Sequence, residues 1–384
     1  MKRPNIILYT TLGFLVKIFA YLKGQRIIKK VRIKGPAIIL SNHTSFYDFI
    51  YTTAAMYPHR VSYLAAKKMF YEKQTSFFLR LARAIPKSLM QADPVATLHA
   101  LRLLKKNAII SVFPEGQISP SGRSLTPAFS IAKFLKKAKV DVYIVKHYGA
   151  GLVNPPWSKK TFKGRIDTIK ELIISKEELL NLSYEAIYDI VVEKLYASAS
   201  VYNQEKKYTY KVNHIDNLEN VIYQCPSCLY EGLEAKRHQL ICPKCSHTLT
   251  YDTYGFLNGQ GVDDLFLKQE ENVRKEIDEN PNYQIESQVR LMSFRNQRLV
   301  DVGNGILTIK RYTYIYKGTI DNELIELTFN VSSTPTLPSD IGRNIQIYEG
   351  DTIYQFEMTT KWMPTKMVHV GEYLYFKYHL ENKK

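Results

Sequence analysis

His43 and Asp48 stand five positions apart in the stretch SNHTSFYDF, residues 41–49, directly after the apolar run AIIL. An imidazole has an unperturbed pKa of about 6.5, so near neutral pH it can take a proton from a hydroxyl. A carboxylate on its other ring nitrogen fixes the tautomer and stabilises the imidazolium as it forms. Four intervening residues suit a strand-to-helix turn, with an acid in the first helical turn reaching back to the ring. Taken alone, the pair is equally compatible with a strand-end turn at Asn42 and His43 and a surface carboxylate at Asp48. Further along, SVFPEGQIS (111–119) runs an apolar strand into Phe113, Pro114, Glu115 and Gly116. Proline ends a strand and glycine admits close backbone approach to a ligand. Glu115 is therefore expected at a strand end, where open α/β sheets bind ligands. By itself this stretch also reads as a turn with an exposed glutamate.

The chain has four cysteines, Cys225, Cys228, Cys242 and Cys245, spaced as two Cys-x-x-Cys pairs thirteen residues apart. That spacing predicts one tetrahedral Zn²⁺ held by four thiolates, with no position left open for catalysis, so the metal is expected to be structural. Each pair carries a proline, in CPSC and CPKC. Two disulfides or free thiols are the alternative, and a reducing compartment disfavours the first. His238 and His247 lie nearby but are not expected to bind the metal, since the thiolates fill the shell. The local charge is not strongly basic, which argues for a spacer or protein-contact module over nucleic-acid binding.

These residues need elements to position them. A chain of 384 residues calls for two or three domains. Residues 1–200 hold 32 Lys and Arg against 12 Asp and Glu, and residues 201–384 hold 21 against 24, so the whole net charge of +17 sits in the front half. Such asymmetry points to an anionic partner for the first domain, either a membrane surface or nucleic acid. The N-terminus favours the membrane. Residues 5–22, NIILYTTLGFLVKIFAYL, are mostly apolar, with basic residues on both sides. The run is interrupted by Lys17 and is short of the roughly 20 apolar residues of a spanning helix. No convincing cleavage site for a secretory signal is seen. The reading is a helix lying in the membrane interface, on the cytoplasmic face, with anionic headgroups drawn to its basic flank; a helix packed on its own domain is the plainer alternative.

From 36 to 150, short apolar strands (PAIILSN, NAIISVF, VDVYIVKHY) alternate with helical stretches (TSFFLRLARAI, ATLHALRLLKK). Alternation of this kind predicts an α/β domain with a largely parallel sheet. One helix is expected over SKEELLNLSYEAIYDIVVEKLYASA, starting at Ser175. Residues 203–224 read as a linker. After a helix at VDDLFLKQEENVRKEI, the last third is β-rich: GILTIK, TYIYKG, ELIELTF, NIQIY and TIYQF, with turn signals at Asn304-Gly305 and Glu349-Gly350-Asp351. VGEYLYFKYHL is expected to close it, as a helix or as a last strand. The predicted organisation is an N-terminal interface helix and basic flank (1–30), an α/β domain (31–200), a linker and zinc ribbon (201–255) and a β-rich domain (262–384).

NHTSFYD followed by FPEG resembles two signature blocks of the glycerolipid acyltransferase family, whose members include the 1-acylglycerol-3-phosphate (lysophosphatidate) acyltransferases. The resemblance covers residues 1 to about 195, including the basic apolar N-terminus. It implies that 31–200 is an α/β acyltransferase domain, with His43 as general base on a glycerol hydroxyl and Asp48 as its orienting acid. The hydroxyl attacks the acyl carbonyl directly, so no catalytic cofactor is implied; the co-substrate is acyl-CoA, acyl-carrier protein or a similar donor. The resemblance further implies substrate contacts from Asn42, Phe113, Pro114, Glu115 and Gly116, with backbone N–H groups near the dyad or Gly116 expected to serve a developing oxyanion. It also marks departures. Where the family has Thr-Arg after Phe-Pro-Glu-Gly, this chain has Gln117 and Ile118. The arginine expected after Ile-Pro is replaced by Leu89, with Lys87 nearby, and a proline of the fourth block by Lys146. If the acceptor carries a phosphate, Arg123 is the first candidate to hold it, with Lys67, Lys68, Lys87 and Lys146 as others. The β-rich tail bears a loose likeness to pleckstrin-homology or GRAM domains. Lysophosphatidate is thus the expected acceptor. The sequence alone leaves open a different acceptor, or a non-catalytic lipid-binding protein on the same fold.

Overall fold

The computed structural model describes residues 2–71, 73–89, 93–296, 298–350 and 352–382. The chain forms two compact units, residues 1–213 with 252–256, and residues 214–251 with 257–384. The four cysteines and the β-rich residues 262–384 fall in the second unit, and residues 6–22 in the first.

The first unit is built on a seven-stranded sheet with order β1-β7-β6-β2-β5-β3-β4. Its strands are β1 (Gln25–Lys29), β2 (Ala37–Leu40), β3 (Val61–Ala66), β4 (Ile85–Lys87), β5 (Ile109–Val112), β6 (Asp141–Tyr148) and β7 (Ile166–Ile174). Strands β6, β2, β5, β3 and β4 are parallel, whereas β7 runs antiparallel to β6 and β1 parallel to β7. The central strands are apolar on both faces, as a covered parallel sheet requires. Ile38, Leu40, Ile110, Val112, Val142 and Ile144 point into one core with Ala100, Leu135 and Val191. Ala37, Ile39, Ile109, Tyr143 and Val145 alternate with them into a second core with Ala55 and Met56.

Helices α1 (Ile6–Leu22), α2 (Asp48–Met56), α3 (Lys73–Leu81), α4 (Pro94–Leu104) and α5 (Ser130–Ala138) complete the layers. Asn5 caps α1, its side chain accepting from the N–H groups of Ile7 and Leu8. Only Gly13 and Ala20 of α1 are buried, with Gly13 against Tyr57, while Ile7, Phe14, Leu15, Tyr21 and Leu22 are at least half exposed. No helix among the described residues is long and apolar enough to cross a membrane. The Arg60 guanidinium, one residue ahead of β3, donates to the Pro4 carbonyl at 3.0 Å, and Phe19 meets Tyr47 edge-on with ring centroids 6.3 Å apart. Helix α1 thus starts at the amino edge of the parallel strands and ends beside the loop that follows β2.

The single helix expected from Ser175 is three: Lys176–Asn181, Tyr184–Leu195 and Ala199–Lys206. Ser175 and Glu178 form a reciprocal capping box on the first, and Ser183 and Ser198 cap the other two. Each serine offers the backbone an N-terminal cap, so each starts a new helix.

The second unit holds the cysteine knuckles, a helix Val262–Glu279, and a seven-stranded antiparallel sheet closed by the helix Met363–Glu381. Its first strand, Gln284–Arg295, carried no clear signal in the sequence. Asn304-Gly305 is no turn: both residues lie inside the strand Arg298–Lys310, facing Arg290 and Val289. The glycine serves close approach, because a Cβ there would lie 2.3 Å from the Lys317 carbonyl oxygen and 2.7 Å from the Gly318 Cα. The sharp reversal comes instead at Asp321 and Asn322, both with positive φ. Of the other expected turn, Gly350 has positive φ, and Asp351 lies outside the described residues. The ribbon joins this unit because Tyr223 stacks on Trp362 at 5.3 Å, and Gln269 accepts from the N–H groups of Tyr223 and Gln224.

Candidate active site

Parallel strands bring loops distant in sequence to one edge. The carboxyl ends of β2, β5 and β3 lead into His43, Phe113–Gly116 and Lys67, and β4 ends on Lys87. His43 lies in the turn between β2 and α2, and Asp48 is the first residue of α2.

His43 Nδ1 is 3.1 Å from Asp48 Oδ2. The same oxygen accepts from the backbone N–H groups of Thr44 at 2.7 Å and Ser45 at 2.8 Å. Asp48 is fully buried, whereas the His43 side chain keeps 19 % exposure. The two amide donors fix the carboxylate in place at the start of α2. An anion at Nδ1 selects the tautomer with its proton there and leaves Nε2 as the acceptor. The ring stacks on Phe113, centroids 4.5 Å apart and 28° between planes, and Phe113 lies parallel to Tyr63.

Glu115, expected as a substrate contact, is turned inward. It is only 7 % exposed, and its two oxygens accept from the backbone N–H of His43 at 2.8 Å and of Leu125 at 2.9 Å. Burial pushes its carboxyl up to about 8, against the pull of those two N–H groups. Glu115 therefore ties the β5 turn to the backbone of the base. Asn42 is likewise turned inward: fully buried, it donates to the His147 carbonyl at 2.9 Å and accepts from the His147 N–H at 2.8 Å, pinning β6 to the turn. Pro114 and Glu115 sit in a turn closed by the Gly116 N–H on the Phe113 carbonyl at 3.2 Å. That N–H is thus already engaged, and Gly116 contributes its positive φ of 78° to the turn.

The basic candidates separate. Lys146 is buried and donates to the carbonyls of Lys194 and Tyr196 at 2.9 and 2.8 Å, closing the end of the helix Tyr184–Leu195. Burial lowers its pKa to about 8. Its ammonium thus serves the backbone at that helix end. Lys87, its pKa lowered by burial, donates to the Ser88 carbonyl at 3.2 Å. Lys67 and Lys68 open the turn Lys67–Phe70 after β3, with Lys67 exposed. Arg123 pairs by its backbone with Ser198. Its neighbour Gly122 packs on Gly151, where an added Cβ would lie 3.0 Å from the Thr44 carbonyl oxygen and 3.6 Å from the Gly122 Cα. The Arg123 segment therefore passes beside the turn that holds the dyad. Leu89 is partly buried, and Gln117 and Ile118 lead to Ser119, whose N–H donates to the His43 carbonyl at 2.8 Å.

One part of the site had no signal in the sequence. Behind β2, His147 is buried between Thr52 Oγ1 and Thr168 Oγ1, each 2.9 Å from a ring nitrogen. Ser41 meets Thr52 at 3.2 Å, and Gln25 donates to Thr168 at 2.9 Å. Burial lowers the His147 pKa to about 4, so this ring stays neutral. Its members come from five separate elements, and only folding joins them.

In the second unit, the sulfurs of Cys225, Cys228, Cys242 and Cys245 all lie within 4.8 Å of one another. Cys225–Cys245 and Cys228–Cys242 are each 3.7 Å apart, far beyond the disulfide length of about 2.05 Å. Tetrahedral Zn–S bonds of about 2.3 Å place sulfurs roughly 3.8 Å apart, so the donor set fits. The two knuckles match: the Leu229 and Ser246 N–H groups return to the Cys225 and Cys242 carbonyls, and both residues have φ of 59°.

Residues 22–147 match the model of the acyltransferase family. These residues form an acyltransferase-family domain within the first unit. Over 95 residues it is 28 % identical to the 1-acyl-sn-glycerol-3-phosphate acyltransferase of Bacillus subtilis (strain 168), covering 24 % of this chain and 48 % of the relative. The chain thus spans about half the length of that curated relative. Among solved structures, the 1-acyl-sn-glycerophosphate (LPA) acyltransferase PlsC of Thermotoga maritima aligns with a TM-score of 0.42 and 18 % identity, over 52 % of this chain and 79 % of the other. An SsgA-like sporulation-specific cell division protein of Thermobifida fusca aligns at 0.17 and 14 %, over 27 % and 95 %. Scores this low establish no shared function. The matched segment of the family model holds His43, Asp48 and the β5 turn.

Proposed function

We propose that this acyltransferase domain catalyses O-acyl transfer to a lysolipid hydroxyl, with lysophosphatidate as the acceptor, at a membrane surface on the cytoplasmic face. The observation that carries the chemistry is the His43–Asp48 pair: a partly exposed imidazole backed by a buried carboxylate fixed by two amide donors. In this reading His43 Nε2 takes the proton of the acceptor hydroxyl as its oxygen attacks the acyl carbonyl. The positive charge that develops on the ring is met by Asp48. When the tetrahedral intermediate collapses, the donor's thiolate leaves and the proton passes to it. The donor is acyl-CoA or acyl-carrier protein. General-base help of this kind is worth about 10²–10⁴ in rate.

Arg123 is the residue we assign to an acceptor phosphate, on the ground that its segment borders the dyad turn. The membrane assignment draws support from the outward apolar side chains of α1 and from Phe46 and Phe49, exposed in and just after the dyad turn. The four thiolates are assigned one structural Zn²⁺, on donor type and spacing. A pleckstrin-homology-like or GRAM-like character for the sheet and closing helix of the second unit is part of the proposal and rests on strand pattern alone.

The test is turnover of labelled acyl donor with a panel of lysolipid acceptors. His43→Ala should abolish transfer and Asp48→Asn should lower kcat by about 10²–10⁴, both with unchanged thermal unfolding of the second unit. Near-normal turnover in His43→Ala would refute the general-base role. Equal use of acceptors with and without phosphate, unchanged by Arg123→Ala, would refute lysophosphatidate as the acceptor.

A further inference from the structure

The edge of the sheet opposite the dyad carries a cation cluster that the acyl-transfer reading does not use. Arg60, Arg83 and Lys106 stand just ahead of β3, β4 and β5, at the amino ends of the parallel strands. Arg3 joins them from the segment before α1. The arginines of the cluster donate to backbone carbonyls: Arg60 to Pro4 at 3.0 Å, Arg83 to Arg3 at 2.9 Å, and Arg3 to Lys106 at 3.5 Å. Among the described residues, no ion pair involves Arg3, Arg60, Arg80 or Arg83. Guanidiniums gathered in this way repel one another. The Arg3 guanidinium shows this, its pKa lowered by burial and by the charge of Arg60.

Beside this cluster lies a cleft of about 580 Å³, lined by Asn5, Ile7, Leu8 and Thr11 of the α1 start and by Arg80, Leu81 and Arg83 at the end of α3. Its lining combines two guanidiniums with aliphatic side chains and includes no acid. Ile6, Ile7, Phe77 and Phe78 stand exposed on the same two helices. A ligand that satisfies this lining is anionic at one end and apolar at the other. The Asn5 side chain already caps the first N–H groups of α1, so the arginines are the anion-binding groups.

From this cleft α1 runs along α2 to Tyr47 in the dyad turn. Seventeen residues at about 1.5 Å each give a track of roughly 25 Å. The cleft and the dyad are therefore distinct places joined by one apolar helix face, and a single bilayer surface lying along α1 can reach both.

We propose that the cleft between the start of α1 and the end of α3 binds the phosphate headgroup of an anionic membrane lipid through Arg80 and Arg83, as a site separate from the catalytic dyad. The proposal rests on the membrane part of the function proposed above. The headgroup neutralises the guanidinium cluster, and the lipid's acyl chains continue the apolar surface of Ile7, Leu8 and Leu81. The site orients α1 on the bilayer and favours anionic membranes over neutral ones.

The test is co-sedimentation of the full chain with vesicles of phosphatidylcholine alone and of an equal mixture with phosphatidylglycerol. Wild type should prefer the mixed vesicles. Arg80→Glu should lower that affinity about ten-fold or more, since a guanidinium–phosphate contact is charge-assisted. Lys137→Glu, at an exposed position of α5, changes net charge equally and should cost only a few-fold. Turnover of the variants on a detergent-dispersed acceptor should stay at the wild-type level. Equal losses in Arg80→Glu and Lys137→Glu would overturn the site in favour of diffuse charge. Wild-type preference for anionic vesicles that Arg80→Glu leaves intact would overturn the site alone. Wild type that pellets with neither vesicle would overturn both the site and the membrane reading. Displacement from mixed vesicles by millimolar inorganic phosphate, but not by added salt of equal ionic strength, would reassign the cleft to a free anion.

Discussion

Replacing Glu115 by glutamine separates a substrate contact from a positioning role. Both Glu115 oxygens accept backbone N–H groups, from His43 at 2.8 Å and Leu125 at 2.9 Å. Glutamine has nearly the same shape but only one accepting oxygen, and its amide nitrogen has no lone pair to offer. One of the two N–H groups is left unsatisfied inside the protein, which costs about 1–3 kcal/mol. That loss should appear as a lowered midpoint of denaturant unfolding. It should also move the backbone of the base, and a displacement of about 1 Å in a reacting group lowers rate by roughly 10². We expect kcat to fall by about one to two orders of magnitude on that ground, with acceptor KM changed less than about two-fold. Steady-state kinetics over acceptor concentration reads both numbers. The pH dependence gives a second readout. The folded-state pKa is raised from 4.5 to about 8 by burial, so stability from this group is complete below about 4.5 and lost as pH rises through 8. Glu115→Gln should flatten that part of the stability profile. Raised KM with unchanged kcat would refute the positioning role and return Glu115 to the acceptor.

Lys146→Met removes the cation that closes the helix Tyr184–Leu195 and should lower stability by about 1–3 kcal/mol, leaving the preference for phosphate-bearing acceptors unchanged; a lost preference would make Lys146 an acceptor contact after all. The lowered Lys146 pKa, about 8, adds stability as pH rises from there toward its ordinary value of 10.5, a trend that Lys146→Met should remove from denaturation curves. Metal analysis of gently purified protein should find one Zn²⁺ per chain, and Cys228→Ser or a strong chelator should lower the unfolding temperature of the second unit while turnover persists. Metal-free protein with unchanged unfolding would refute the structural zinc.

The sequence by itself carried the local chemistry: a histidine and an acid at dyad spacing, cysteine pairs at knuckle spacing, and apolar runs that mark the central strands. These signals are short in range, because capping, periodicity and ligand spacing act within a few residues. The serines at 175, 183 and 198 were legible in the same way, although reading them as one helix missed that each can cap a new one. Asn304-Gly305 misled because the same dipeptide serves a turn or a close strand approach, and only Gly318 on the facing strand decides which. For Glu115 and Lys146 the sequence holds no inward signal, because a charged residue at a strand end or in a strand is usually solvated. Tertiary structure turned both inward, where backbone N–H and carbonyl groups from loops far along the chain needed partners that water could not supply. The His147 chain and the arginine cluster at the amino edge are of the same kind. Each gathers residues from several elements, and it was the parallel order of β2, β5, β3 and β4 that put the dyad at one end of the sheet and the cations at the other.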